Sequence, residues 1–211
     1  MASPNIAFDT IPSSLRKPGA YAEFNTKLSL RGLPANLQPT VIVAPRLAAG
    51  TIAVNTPTPV FSDAQAALYA GTGSIAHQMV AGALAANRRL NLTLVLVDDA
   101  GGAVAATGAC TLAGTPTAGG TLQIKVGDAY FELPVLTTDT ATTLAASIVT
   151  AIGQKPELGL TATNAAGVVT FTAKQKGTLG NKLKVSVVST ATGVTTTAVT
   201  FASGSGDPDI T

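Results

Sequence analysis

The stretch FSDAQAALYAGTGSIAHQMVAGALAAN, residues 61–87, followed by LNLTLVLV, residues 90–97, decides how this chain is read. The first segment is alanine-rich, and its apolar residues recur at helical spacing. Gly71 and Gly73 interrupt it, so two helices fit better than one. Ser62 or Asp63 can cap the first and Ser74 the second, because a short oxygen-bearing side chain satisfies the free N–H groups of a first turn. In the second helix either Ile75, Met79 and Leu84 or Val80 and Leu84 supply the apolar stripe. Residues 92–97 are almost uniformly apolar, the pattern of a strand buried on both faces of a sheet. Residues 40–44 form a short branched-apolar run upstream. Together these segments make one crossover of an α/β layer, and too few strands remain after Asp98 to complete a doubly wound sheet.

The texture changes on either side. Residues 1–40 contain Pro4, Pro12, Pro18, Pro34 and Pro39, which excludes a long helix and favours extended chain broken by turns. They read as an N-terminal arm with a strand-like core at residues 21–24, able either to add to the edge of a neighbour's sheet or to pack back on its own domain. Residues 41–103 then form the first part of an α/β main domain. Residues 104–203 are rich in Thr, Val and Gly, with strands expected at 105–112, 121–126, 129–133, 160–163, 168–173, 183–188 and 195–201. Gly127-Asp128 and Ala166-Gly167 mark hairpin tips. Residues 138–152 show helical spacing through Leu144, Ile148 and Ile152, with Asp139 near the start. This part reads as an inserted β-rich α+β domain, since both its ends lie in Gly/Ala/Ser-rich chain, and residues 204–211 as a linker back to the main domain. The fold class expected is mixed α/β, or α+β: an incomplete α/β main domain, an extended arm before it and an inserted β-rich domain with one helix after it.

Composition narrows the function. With 13 basic and 11 acidic side chains in 211 residues, the net charge of +2 offers no field that would select nucleic acid or an anionic membrane. No apolar run is long enough to span a bilayer, and the N-terminus lacks the basic start and apolar core of a secretory signal. Charged residues make up 11% of the chain against 46% hydrophobic, so the surface is either hydroxyl- and amide-rich or covered by other copies of the chain.

Residues able to do chemistry are sparse. Cys110, the single cysteine, sits in the strand-like ATGACTLAG and reads as a small buried hydrophobe. His77, the single histidine, lacks the second imidazole of a usual metal site and the partners of a nucleophilic relay. Gly71-Thr72-Gly73-Ser74 has no phosphate-loop lysine and reads as a helix-capping turn. Asp98 and Asp99 follow a strand, where α/β enzymes keep carboxylates, but read as the strand's turn into solvent. Arg88 and Arg89 favour a helix C-terminal dipole, and Lys174, Lys176, Lys182 and Lys184 read as a solvated face. No catalytic residue, cofactor or metal is expected. Two alternatives stay open: a surface- or carbohydrate-binding module on the Thr-rich β domain, and a hydrolase joining His77 to Asp98 or Asp99.

The opening IAFDTIPSSLRKPGAYAEFNT, residues 6–26, resembles that of the contractile tail sheath proteins of Mu-like bacteriophages. LYAGTGSIAHQMVAGALAAN, residues 68–87, and LTLVLVDDA, residues 92–100, resemble the family's turn-and-helix segment and the strand after it, in the same order. The third part resembles the family's inserted β-rich domain, and GSGDPDIT, residues 204–211, its return point. The resemblance implies a non-enzymatic virion subunit, assembled in the host cytoplasm into stacked rings around the tail tube. Its contraction drives the tube through the host envelope. The partners implied are identical sheath subunits, the tail tube protein, and baseplate and tail terminator proteins, without nucleic acid or membrane insertion. Pro18, Gly19, Tyr21, Glu23 and Phe24 become the inter-subunit arm, and Gly71, Gly73 and Ser74 the turn of the main-domain helix. Family members are more than twice this long, so the chain is expected to be a fragment.

Overall fold

A computed structural model of the chain describes residues 39–208, together with Ser14 and Gly19. The described residues form a mixed α/β architecture of three sheets and three α-helices around two apolar cores.

The first core is built on β1 (Pro39–Pro45), β2 (Thr58–Val60), α1 (Asp63–Ala70), α2 (Ile75–Ala86) and β3 (Asn91–Val97). Strand β3 is central, parallel to β1 with Ile42 opposite Leu94 and Ala44 opposite Leu96, and antiparallel to β2. Leu92, Leu94, Leu96, Ile42 and Val60 pack against Ala66, Ala70, Ala76 and Val80, the alanines letting helix backbones lie close to the sheet. Ser62 and Ser74 cap the two helices, accepting hydrogen bonds from the amides of Gln65 and His77.

Two expectations are corrected here, and of the two stripes open for α2 the one through Val80 and Leu84 is the one buried. The sheet is covered on one face only: Val41 and Val43 remain 57% and 49% exposed, and Thr93 and Val95 beside them on β3 are half-buried. A run of apolar residues marks a strand without saying that both its faces are filled. In α2 the inward stripe is Ala76, Val80 and Leu84, whereas Met79 is exposed, because the sheet lies against the small-residue side of the helix. Helix α2 ends at Ala86, so Arg88 and Arg89 lie beyond its last turn.

The second core is enclosed by β4 (Ala105–Ala113), β5 (Gly120–Val126), β6 (Ala129–Val135), α3 (Ala141–Gly153), β7 (Leu160–Ala165), β8 (Val168–Lys176), β9 (Val185–Ser189) and β10 (Thr195–Thr196). These strands form a four-stranded sheet in the order β10-β4-β8-β7 and a three-stranded sheet β6-β5-β9. Alternation along β4, β5 and β8 turns Cys110, Leu122, Ile124, Val169 and Phe171 inward. Leu144, Ile148 and Ile152 of α3 join them, and Thr140 and Thr143 close a reciprocal capping arrangement at its start. Burial raises the Cys110 thiol pKa above its usual value.

Several strand boundaries differ from expectation: β6, β7 and β8 run on to Val135, Ala165 and Lys176, and β2 (Thr58–Val60) was not expected. Leu183 closes the 3-10 turn Thr178–Lys182 by donating to the Gly180 carbonyl, so β9 begins only at Val185. β10 covers two residues, after which Thr197 bonds to Thr111 through both its backbone and its hydroxyl. The chain then returns beside its own entry. Ala202 and Thr107 exchange two backbone hydrogen bonds, as do Ser205 and Val104. Asn181 clamps the Gly204 backbone at 2.8 and 2.9 Å. Asp207 accepts from Thr178 N at 2.7 Å and Thr178 Oγ1 at 2.6 Å.

Candidate functional site

Four residues, Gly71 to Ser74, join α1 to α2 and hold the first core against the second. Gly71 ends α1 with φ +88°, and Gly73 has φ +81°, a left-handed backbone that side chains resist. His77 is buried one turn into α2, where its Nδ1 accepts the Gly73 N–H at 3.1 Å. The Nδ1 atom therefore carries no proton. The hydrogen of the neutral ring sits on Nε2, 3.0 Å from Asp63 Oδ1 at the start of α1. Imidazole, turn and the start of α2 form one unit.

That unit meets the second core through polar contacts. Lys174 of β8 donates through Nζ to Thr72 O at 3.2 Å and Pro156 O at 2.5 Å. Desolvation holds the Lys174 pKa below its ordinary value, opposed in part by Glu157. Gln78 Nε2 donates to Glu157 O at 3.1 Å. A Cβ placed on Gly73 would overlap the Pro156 carbonyl oxygen and stand 3.0 Å from Lys174 Nζ, so the turn is pressed directly on the chain opposite. Gln175, 5% exposed, donates through Nε2 to Arg46 O at 3.1 Å and to Asp99 Oδ1. Arg46 in turn pairs with Asp98 through Nε at 2.7 Å and donates to Ile52 O at 2.7 Å.

Several sequence-based readings change accordingly. Asp98 and Asp99 do not simply turn into solvent, since Arg46 and Gln175 engage them. Lys174 leaves the solvated lysine face, while Lys176, Lys182 and Lys184 stay exposed. His77 and the Asp98 and Asp99 carboxylates are held by different partners, Gly73 for the first, Arg46 and Gln175 for the others. Gln175 was not singled out from sequence. Its signal was present, because it falls in phase with Val169, Phe171 and Ala173 on the inward side of β8. Of the arm residues, Gly19 is an exposed bend, while Pro18, Tyr21, Glu23 and Phe24 lie outside the described residues. Among the described residues no three His, Cys, Asp or Glu side chains group to hold a metal, and no helix is long and apolar enough to cross a membrane.

No family model matches the chain. Over 179 residues, 85% of its length, it is 31% identical to the Mu-like prophage FluMu tail sheath protein of Haemophilus influenzae. The chain spans 37% of that protein's length. It is a distant homologue of part of a phage tail sheath protein.

Proposed function

We propose that this chain is part of a structural, non-enzymatic subunit of a contractile phage tail sheath. The observation that carries the reading is the 31% identity to a tail sheath protein, extending over 85% of the chain. Residues 41–103 then belong to the main domain, and residues 104–203 to a domain inserted into it. The paired entry and exit, Val104 with Ser205 and Thr107 with Ala202, suit an insertion into a surface loop. The exposed Val41 and Val43 face suits a layer that further main-domain chain covers, because sheets with parallel strands are usually covered on both faces.

In this reading the arm centred on Pro18, Gly19, Tyr21, Glu23 and Phe24 links each subunit to its neighbours. The Gly71, Gly73 and Ser74 turn sets the main-domain helix against the insert. The sheath is assembled in the host cytoplasm and carried on the virion tail, with identical subunits, the tube protein, and baseplate and terminator proteins as partners. Work comes from the free-energy difference between two packings of the same subunits. Electron microscopy of the intact gene product expressed alone tests this: tubes or helical assemblies are expected, and deletion of residues 1–26 should abolish them. A persistent monomer at high concentration would count against the proposal, and tubes surviving the deletion against the arm.

One observation favours a second reading, a carbohydrate-binding surface. Tyr130 is 55% exposed on β6, and Glu132 beside it accepts from both the Tyr130 hydroxyl and Gln123. A ring beside ordered polar groups can stack on a sugar. Glycan-array binding lost on Tyr130→Ala would favour it.

A further inference from the structure

The two cores meet without sharing apolar contacts. No apolar residue of either core packs against the other, and no strand or helix of the first lies along one of the second. Ile75 at the start of α2 and Leu179 in the 3-10 turn line two clefts at this junction, of about 150 and 320 Å³, so the apolar side chains nearest the seam leave space between them. The side-chain bonds that cross it are polar: Gln78 Nε2 to Glu157 O, Lys174 Nζ to Thr72 O, and Gln175 Nε2 to Arg46 O. The Gly73 backbone presses on Pro156 and Gly159 beside them. Parts of one chain joined in this way are expected to move relative to one another, since only a large hydrophobic interface would hold them fixed.

We propose that the part built on the second core rocks as a rigid body on the part built on the first, pivoting beside Gln175, with Lys174 and Gln78 as the latch. The covalent link on the entry side runs through Gly101 and Gly102, both exposed and with nothing within 4 Å of an added methyl, so the chain can turn there. The exit side travels with the second part as far as Asp207, because Asn181 holds Gly204 and Thr178 holds Asp207. Gln175 precedes Lys176, which pairs with Ala105 at the base of β4. Its part-buried bonds to Arg46 O and Asp99 therefore lie next to the link and move little in a rotation about it. The Lys174 and Gln78 bonds across the seam are exposed, so water replaces either partner as the seam opens and the net cost of each is small. Lys174 also keeps Pro156 O, an acceptor in its own part, when it leaves Thr72 O. Opening breaks neither core. The inference rests on the fold and not on the sheath reading, so either can fail without the other.

Nitrogen-15 relaxation dispersion on the 211-residue chain tests this. Amides on both sides of the seam, those of Gly73, Gln78, Gly159 and Lys174, should share one exchange process on the microsecond-to-millisecond scale of hinge motions. Leu94 and Ile124, inside the two cores, should stay flat. Lys174→Met and Gln78→Ala should each raise the open population on the order of fivefold, the effect of one net hydrogen bond, and together by the product of the two. Gly82→Ala, on the open side of α2, should leave it unchanged. Each latch variant is read by itself, so one that failed to fold would leave the other and the parent to decide. Flat profiles at the four seam amides in the parent and in the latch variants overturn the proposal. So do different exchange rates on the two sides of the seam, which would be separate loop motions, and the same process at Leu94 or Ile124, which would be melting of a core.

Discussion

Replacing Gly73 by Ala, with Gly82→Ala as its counterpart, makes the same chemical change at two glycines in opposite circumstances. At Gly73 the backbone is left-handed, at φ +81°. An L side chain there costs about 1–2 kcal/mol from its own backbone. The added methyl would also overlap the Pro156 carbonyl oxygen and stand 3.1 Å from Gly159 N, so backbone on both sides of the seam must give way. Forcing an extra methyl into a closed contact costs about 1–3 kcal/mol more. The expected loss is about 3 kcal/mol, which for a domain of this size lowers the thermal midpoint by roughly 6–12 °C. Gly82 lies in the interior of α2, is exposed, and has nothing within 4 Å of an added methyl. There alanine should stabilise by up to about 1 kcal/mol through helix propensity, raising the midpoint by roughly 2–4 °C. Thermal and urea unfolding followed by circular dichroism measures both. If Gly73→Ala stays within about 0.5 kcal/mol of the parent, or if the two variants move the same way, the turn is not pressed on Pro156 and the account of the seam fails.

Three other outcomes follow from the same contacts. His77→Ala leaves the buried Gly73 N–H without its acceptor and should cost about 1–3 kcal/mol by urea denaturation, while nitrogen-15 spectra of the parent should show the neutral ring protonated on Nε2. Asp207 is held below the ordinary carboxylate range by its hydrogen bonds to the Thr178 hydroxyl and amide, with Lys182 assisting. Its contribution is therefore complete above the unfolded-state pKa and is lost as pH falls through the lower folded-state value. The protection of the Thr178 amide, relative to its intrinsic exchange rate at each pH, should fall across that window in the parent, and Asp207→Asn should remove that fall. Phe171→Ala, at a fully buried position in the second core, should cost about 3–5 kcal/mol in the same denaturation assay, and a loss below 1 kcal/mol would contradict its place there.

The sheath resemblance and the fold were legible to different depths. Local chemistry specified the caps Ser62 and Ser74, the hairpin tips at Gly127-Asp128 and Ala166-Gly167, and the buried side of α3, because each depends on residues within one turn or one hairpin. The relation to tail sheath proteins was readable from residues 6–26 and 68–100 and agrees with the identity to one such protein. The seam was not readable. Lys174 and Gln175 are separated from Thr72 and Arg46 by about a hundred residues or more, and nothing local marks the lysine as reaching inward.

The sequence by itself determined the helices and most of the strands, though not β2 (Thr58–Val60), through apolar spacing and turn residues, and it left few groups able to do chemistry. Only the tertiary structure decided which face of each element is used. Val41 and Val43 differ from Ile42 and Ala44 in position along β1 and hardly in chemistry, yet one pair is exposed and the other buried. Period-2 alternation assigns side chains to two faces of a strand, but packing on one face supplies the free energy that makes it the inside. In the same way Gly73 is a permissive turn residue in the sequence and an obligatory one in the structure, because the Pro156 carbonyl occupies the space a side chain would need.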